Sequence, residues 1–189
     1  MRRGRTIFLA IAAVMAPAAA LAQPKPNGGE IACVFEHVDP ADVEAAWDAN
    51  GAPNGAQSAA AARVRQAAEA CQMGFRWSHQ RTEVALVYAL ARVRFDGAIR
   101  DLSAWGITAE VVDQVAADLG ERGRAALTHG DESPDNVEFV GATVARSLAN
   151  AHISIPRGSP QWGQVGRGLG RALLAMRLRD HALDQFTAP

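Results

Sequence analysis

Four groups of residues have types and spacings that could support chemistry. His79 and Glu83 stand four apart, so on a helix they share one face and form half of a metal site. A catalytic zinc centre takes three protein ligands, and neither H-E-x-x-H nor a second paired histidine completes this one. The pair therefore reads first as a side-chain contact near a helix start. Trp77 and Arg81 lie beside it, which makes Trp77, His79, Arg81 and Glu83 the first candidates for a ligand site.

The run Thr128-His129-Gly130-Asp131-Glu132-Ser133 gathers an imidazole, two carboxylates and a hydroxyl, the inventory for acid–base or nucleophilic work. Ser133 is already accounted for as a helix cap, and Asp131 and Glu132 as acids near a helix N-terminus. No G-x-S-x-G elbow occurs anywhere in the chain. His37, His152 and His181 are scattered singly and read as structural.

Five glycines at 158, 163, 166, 168 and 170 accompany Arg157, Arg167 and Arg171. The pattern departs from a dinucleotide loop, whose third glycine position holds Arg171, and no G-K-[ST] follows. On a helix, Gly163, Gly166 and Gly170 share one side, which predicts close approach of a neighbouring helix there. Anion binding by the three arginines is the alternative.

Cys33 and Cys71 are the two cysteines of the chain. With no C-x-x-C and no C-x-x-C-H spacing, thioredoxin-like exchange and haem attachment lack their motifs. An even count in an exported chain predicts a Cys33–Cys71 disulfide.

Export is itself an expectation from the first residues. Arg2, Arg3 and Arg5 precede an apolar run from Ile7 to Ala16, and Ala20 and Ala22 flank Leu21. This is the pattern of a Sec-type signal peptide over residues 1–22, cleaved before Gln23. The apolar run is about half of what a membrane-spanning helix needs. Removing the leader leaves 167 residues with 16 basic and 20 acidic side chains, net −4. That balance lacks the basic stripe of a nucleic-acid binder. Arginine outnumbers lysine eighteen to one, a bias of GC-rich bacterial coding, so the expected address is the periplasm or the medium.

The elements that must position these groups are helical. Residues 23–37 read as an extended or irregular segment, and 38–187 as one helical domain. Asp39 and Pro40 start a helix that ends near Asn50 and Gly51. A second, about 57–75, turns Ala60, Val64, Ala67, Ala68, Cys71 and Phe75 to one side. The third, about 78–102, is apolar on two faces and is expected to be the buried centre. Thr108 caps a fourth. Ser133 and Pro134 begin a fifth that buries Val137, Val140, Val144 and Leu148, and the sixth runs over about 161–186. No six-residue stretch alternates as a strand would. The fold class is all-α, an irregular bundle of five to six helices around 78–102.

With no complete catalytic constellation, the leading expectation is an exported helical protein that binds a partner or the envelope. The alternatives are a small-ligand or metal-binding helical protein, and a hydrolase built on His79 and Glu83 or on the 129–133 loop. No cofactor is called for: beyond the leader, Met73 and Met176 are the only thioethers.

Overall fold

A computed structural model describes residues 28–47, 59–129 and 133–188, without the side chains of 127–129. The expected leader, the Asn50-Gly51 stop and most of the 129–133 loop lie outside the described residues. Those described form an all-α bundle.

Among the described residues seven α-helices follow one another: α1 (Cys33–Glu36), α2 (Pro40–Ala46), α3 (Ala59–Phe75), α4 (His79–Leu102), α5 (Ala109–His129), α6 (Pro134–Asn150) and α7 (Pro160–Thr187). The count exceeds the expected five to six because the segment before Asp39 is wound. Residues 30–32 make a 3-10 turn that runs directly into α1, so 30–36 are wound rather than extended; residues 23–27 of the expected segment lie outside the described residues. Ile31, Cys33 and Val34 are buried along it.

Local signals set the helix starts. Asp39 Oδ1 accepts the amide of Ala41 at 2.8 Å, with Pro40 at the first helical position, where its missing N–H costs nothing. Ser78 Oγ accepts the amide of Arg81 at 3.2 Å, and Ser159 Oγ that of Trp162 at 3.1 Å. Ser133 precedes Pro134 at the expected position, but its side chain makes no capping hydrogen bond there; its carbonyl accepts the amides of Asn136 and Val137. The carboxyl of Glu110, in the first turn of α5, is held below its ordinary range by the Thr108 side chain and by its own backbone amide. Within α5 the backbone breaks at Gly120 (φ 59°, ψ −166°), a conformation that suits glycine. The Arg124 guanidinium donates to the Ala116 carbonyl at 3.1 Å across that break.

The central role expected of the third helix is observed. One half of α4 packs with α5, α6 and α7 through Phe95, Ala98, Leu102, Val112, Val115, Val144, Leu148, Val165 and Leu169. Its other half meets α1, α3 and the far end of α7 through Ala85, Ala89, Ile31, Val34, Ala182 and Phe186. Leu102 thus faces Gly168, near the start of α7, while Ala85 and Ala89 share a cluster with Phe186, near its end; α4 and α7 are antiparallel. A third cluster seats α2 on α3 and α4 through Val43, Ala46, Val64, Leu90 and Val93. Between α5 and α6, the buried Ser147 hydroxyl reaches Asp118 Oδ2 at 2.6 Å.

Two residues expected on buried faces stand at the surface instead: Phe75, the last residue of α3, is 47% exposed, and Val137, in the first turn of α6, is 56% exposed.

Candidate functional site

The first candidates do not assemble. His79 Nε2 and Glu83 Oε1 are 3.2 Å apart, but their side chains are 84% and 64% exposed. This is an exposed surface pair one helical turn apart, and such pairs contribute little. Among the described residues no further histidine, cysteine or carboxylate joins it as a metal ligand. Trp77 turns the other way, into the core, stacking on Phe75 at 5.4 Å and meeting Phe186 edge-on at 5.1 Å. Its indole Nε1 is buried without a hydrogen-bond partner among the described residues. Trp77 and His79 therefore share no cleft. Of the 129–133 loop, the backbone of His129 is described at the end of α5 and Ser133 at the N-cap of α6.

The glycines of α7 act differently from the expectation. A Cβ at Gly166 or Gly170 would meet nothing within 4 Å, and one at Gly163 would meet Arg167 of the same helix, so that side carries no close helix contact. Close approach occurs at Gly168 instead, where a Cβ would lie 2.7 Å from Leu102 Cδ2. Gly168 stands on the buried face with Leu169 and Ala172, and the absence of a side chain lets α4 come in.

Cys33 and Cys71 are joined as a disulfide, with Cα atoms 6.1 Å apart. The bond ties α1 to α3. His37, one helical turn after Cys33, places Nδ1 3.8 Å from Cys33 Sγ and 2.8 Å from the Cys33 carbonyl oxygen.

A cleft on which several charged side chains converge lies where α2, α4 and α7 meet. On α4, Arg94, Gly97, Ala98 and Asp101 recur at spacings of three and four, and on α7 Arg171, Leu174, Ala175 and Leu178 do the same. Small residues at 97, 98 and 175 leave the two helices a hollow of about 660 Å³ rather than a filled seam. Glu44 and Trp47 close one end, and Arg100 lines the same wall. A second hollow of about 740 Å³ continues past Asp101 and Arg171 to Trp105, Gln164 and Arg167. The two share Asp101 and Arg171, whose Oδ2 and Nη2 lie 2.9 Å apart as an exposed pair.

Electrostatically this groove is the reverse of the chain. Arg94, Arg100, Arg167 and Arg171 face it against Glu44 and Asp101, whereas the whole chain carries a net charge of −1. Guanidinium forks match carboxylates bidentately, and Trp47 and Trp105 offer flat apolar faces at either end. Among the described residues that line the groove there is no serine, threonine, cysteine, tyrosine, lysine or histidine.

Arg167 and Arg171 were legible as candidate anion ligands, but Arg94, Arg100 and Trp47 were not. The available signal was the pair of small residues, Gly97 and Ala98, set between the charged positions Asp96 and Arg100. No protein-family model matches the chain, and no curated protein or solved structure matches it.

Proposed function

We propose that this is an exported, non-catalytic binding protein, and that its groove between α2, α4 and α7 takes an acidic stretch of a partner protein. The observation that carries the reading is the convergence of four arginines and two tryptophans on one open groove of a net acidic chain. Arginine and tryptophan are the side chains that most often anchor protein interfaces. An open groove in two connected parts suits an extended segment better than an enclosed small molecule. Export rests on the leader pattern of residues 1–22 and on the use of both cysteines in a disulfide. Among the described residues no helix is long and apolar enough to cross a membrane.

The test is calorimetric titration with an oligoglutamate peptide at low salt, alongside oligolysine as the control. Oligoglutamate binds and oligolysine does not, and the doubly reversed variant Arg100→Glu/Arg171→Glu loses at least about tenfold in affinity, or ~1.4 kcal/mol. Both positions are exposed, and the Asp101 pair contributes little to folding, so the variant keeps its helicity. Equal binding of both peptides, or an unchanged affinity in the variant, refutes the reading. Export is checked by intact mass of the protein from its own host: a chain beginning at Gln23 supports it, and an unprocessed one overturns it.

A further inference from the structure

The Cys33–Cys71 bond has a neighbour that a purely structural staple does not need. Cys33 Sγ, Cys71 Sγ and a ring nitrogen of His37 all lie within 4.8 Å of one another. Ligands of a tetrahedral zinc-class ion, at about 2.3 Å for sulfur and 2.0–2.1 Å for nitrogen, stand roughly 3.6–3.8 Å apart. The Cys33 Sγ to His37 Nδ1 distance of 3.8 Å is already of that size. Two of the groups come from one helical turn and the third from α3, which shares a core cluster with that turn through Ile31, Val34 and Ala68. A hollow of about 330 Å³ opens beside them, lined also by Glu30, Glu36 and Phe75. It gives a small reductant or a cation a way in, and its lining carries two carboxylates.

We infer that the disulfide is the closed form of a redox-gated metal site: once reduced, Cys33, Cys71 and His37 bind a thiophilic divalent cation of the zinc class, with a fourth position open towards Glu30 and Glu36. Soft thiolates with one imidazole are the donor set such ions prefer, and three protein ligands leave the fourth place to water or another ligand.

Reduction needs a dithiol donor. Its thiolate attacks one sulfur of the bond, a mixed disulfide forms, and the donor's second thiol displaces it. Two electrons pass to the protein sulfurs, the donor's two protons end on Cys33 and Cys71, and the donor leaves as a disulfide. The cation then displaces both thiol protons to solvent and takes an unprotonated nitrogen of His37. In the oxidised form the Cys33 carbonyl, 2.8 Å from Nδ1, holds the ring beside the sulfurs by accepting its N–H. Metal capture exchanges that hydrogen bond for a coordinate bond, and the ring proton moves to the far nitrogen.

The probe is cobalt(II), titrated without oxygen into protein reduced by a water-soluble phosphine that is removed beforehand. The reduced protein develops a thiolate-to-cobalt charge-transfer band that zinc abolishes, and the oxidised protein shows none. His37→Ala, which leaves both cysteines in place, weakens cobalt binding at least about tenfold, since even supporting-shell losses cost 10–100-fold. Circular dichroism follows the fold throughout. If the reduced chain loses helicity, recovery on adding metal in wild type but not in His37→Ala supports the site. Equal cobalt affinity in wild type and His37→Ala, folded or not, overturns it, as does a reduced protein without the band.

Discussion

Alanine scanning of the glycines in α7 separates helix propensity from packing within one element. At Gly166 and Gly170 a Cβ meets nothing within 4 Å, so alanine brings only its helix preference, about 0.5–1 kcal/mol of added stability. At Gly168 the same methyl lies 2.7 Å from Leu102 Cδ2 and 3.0 Å from Cγ. Leu102 is fully buried among residues of α4, α5 and α7, so it cannot swing aside into solvent. Overpacking of this kind costs about 1–3 kcal/mol, and the propensity gain offsets about 1 of it. Gly168→Ala is therefore expected to be neutral to about 2 kcal/mol less stable, and to fall about 1–3 kcal/mol below Gly166→Ala. Urea unfolding of the oxidised protein, followed by circular dichroism with a common slope, measures the difference. Gly168→Ala as stable as Gly166→Ala would refute the argument that α4 closes on α7 through this glycine.

Two further outcomes follow from the same contacts. Reducing the Cys33–Cys71 bond, which spans 38 positions of sequence, removes about 4 kcal/mol of denatured-state restraint on the chain-entropy account; differential scanning calorimetry in metal chelator should show the melting temperature fall by about 8–16 °C, and a shift under 2 °C would contradict it. The Ser147 hydroxyl, with Gln114 behind it, holds the Asp118 carboxyl below its ordinary range, so this contact adds stability above the unfolded-state pKa of about 4 and loses it as pH falls through the lowered value. Ser147→Ala should be less stable than wild type at neutral pH, with the gap narrowing in acid; a gap that is the same at both pH values would rule out the Asp118 contribution.

Much of this protein is decided within a few residues of chain. Asp39, Ser78 and Ser133 mark their helix starts because capping and proline preferences act over three or four positions. The stripe Val64, Ala68, Cys71 is buried as its spacing requires. Two cysteines can pair in one way, so the disulfide was legible without any knowledge of distance. Even the wound segment at Glu30–Glu36 has a local signature in hindsight, since Cys33 and His37 are one turn apart.

Other features exist only once helices meet. Gly166 and Gly168 are chemically identical and two residues apart, yet one faces open space and the other Leu102, because 200° of helical rotation separates them and only packing says which side is covered. Phe75 and Val137 continue apolar stripes past the edge of their neighbours, which periodicity cannot locate. The groove depends on Arg94 and Arg171 arriving on adjacent walls, and a ring nitrogen of His37 comes within 4.8 Å of Cys71 Sγ because α3 lies against α1. Capping and periodicity are short-range and written along the chain, whereas which surfaces close on each other is fixed by the shape of the assembled core, and both candidate sites lie where those surfaces meet.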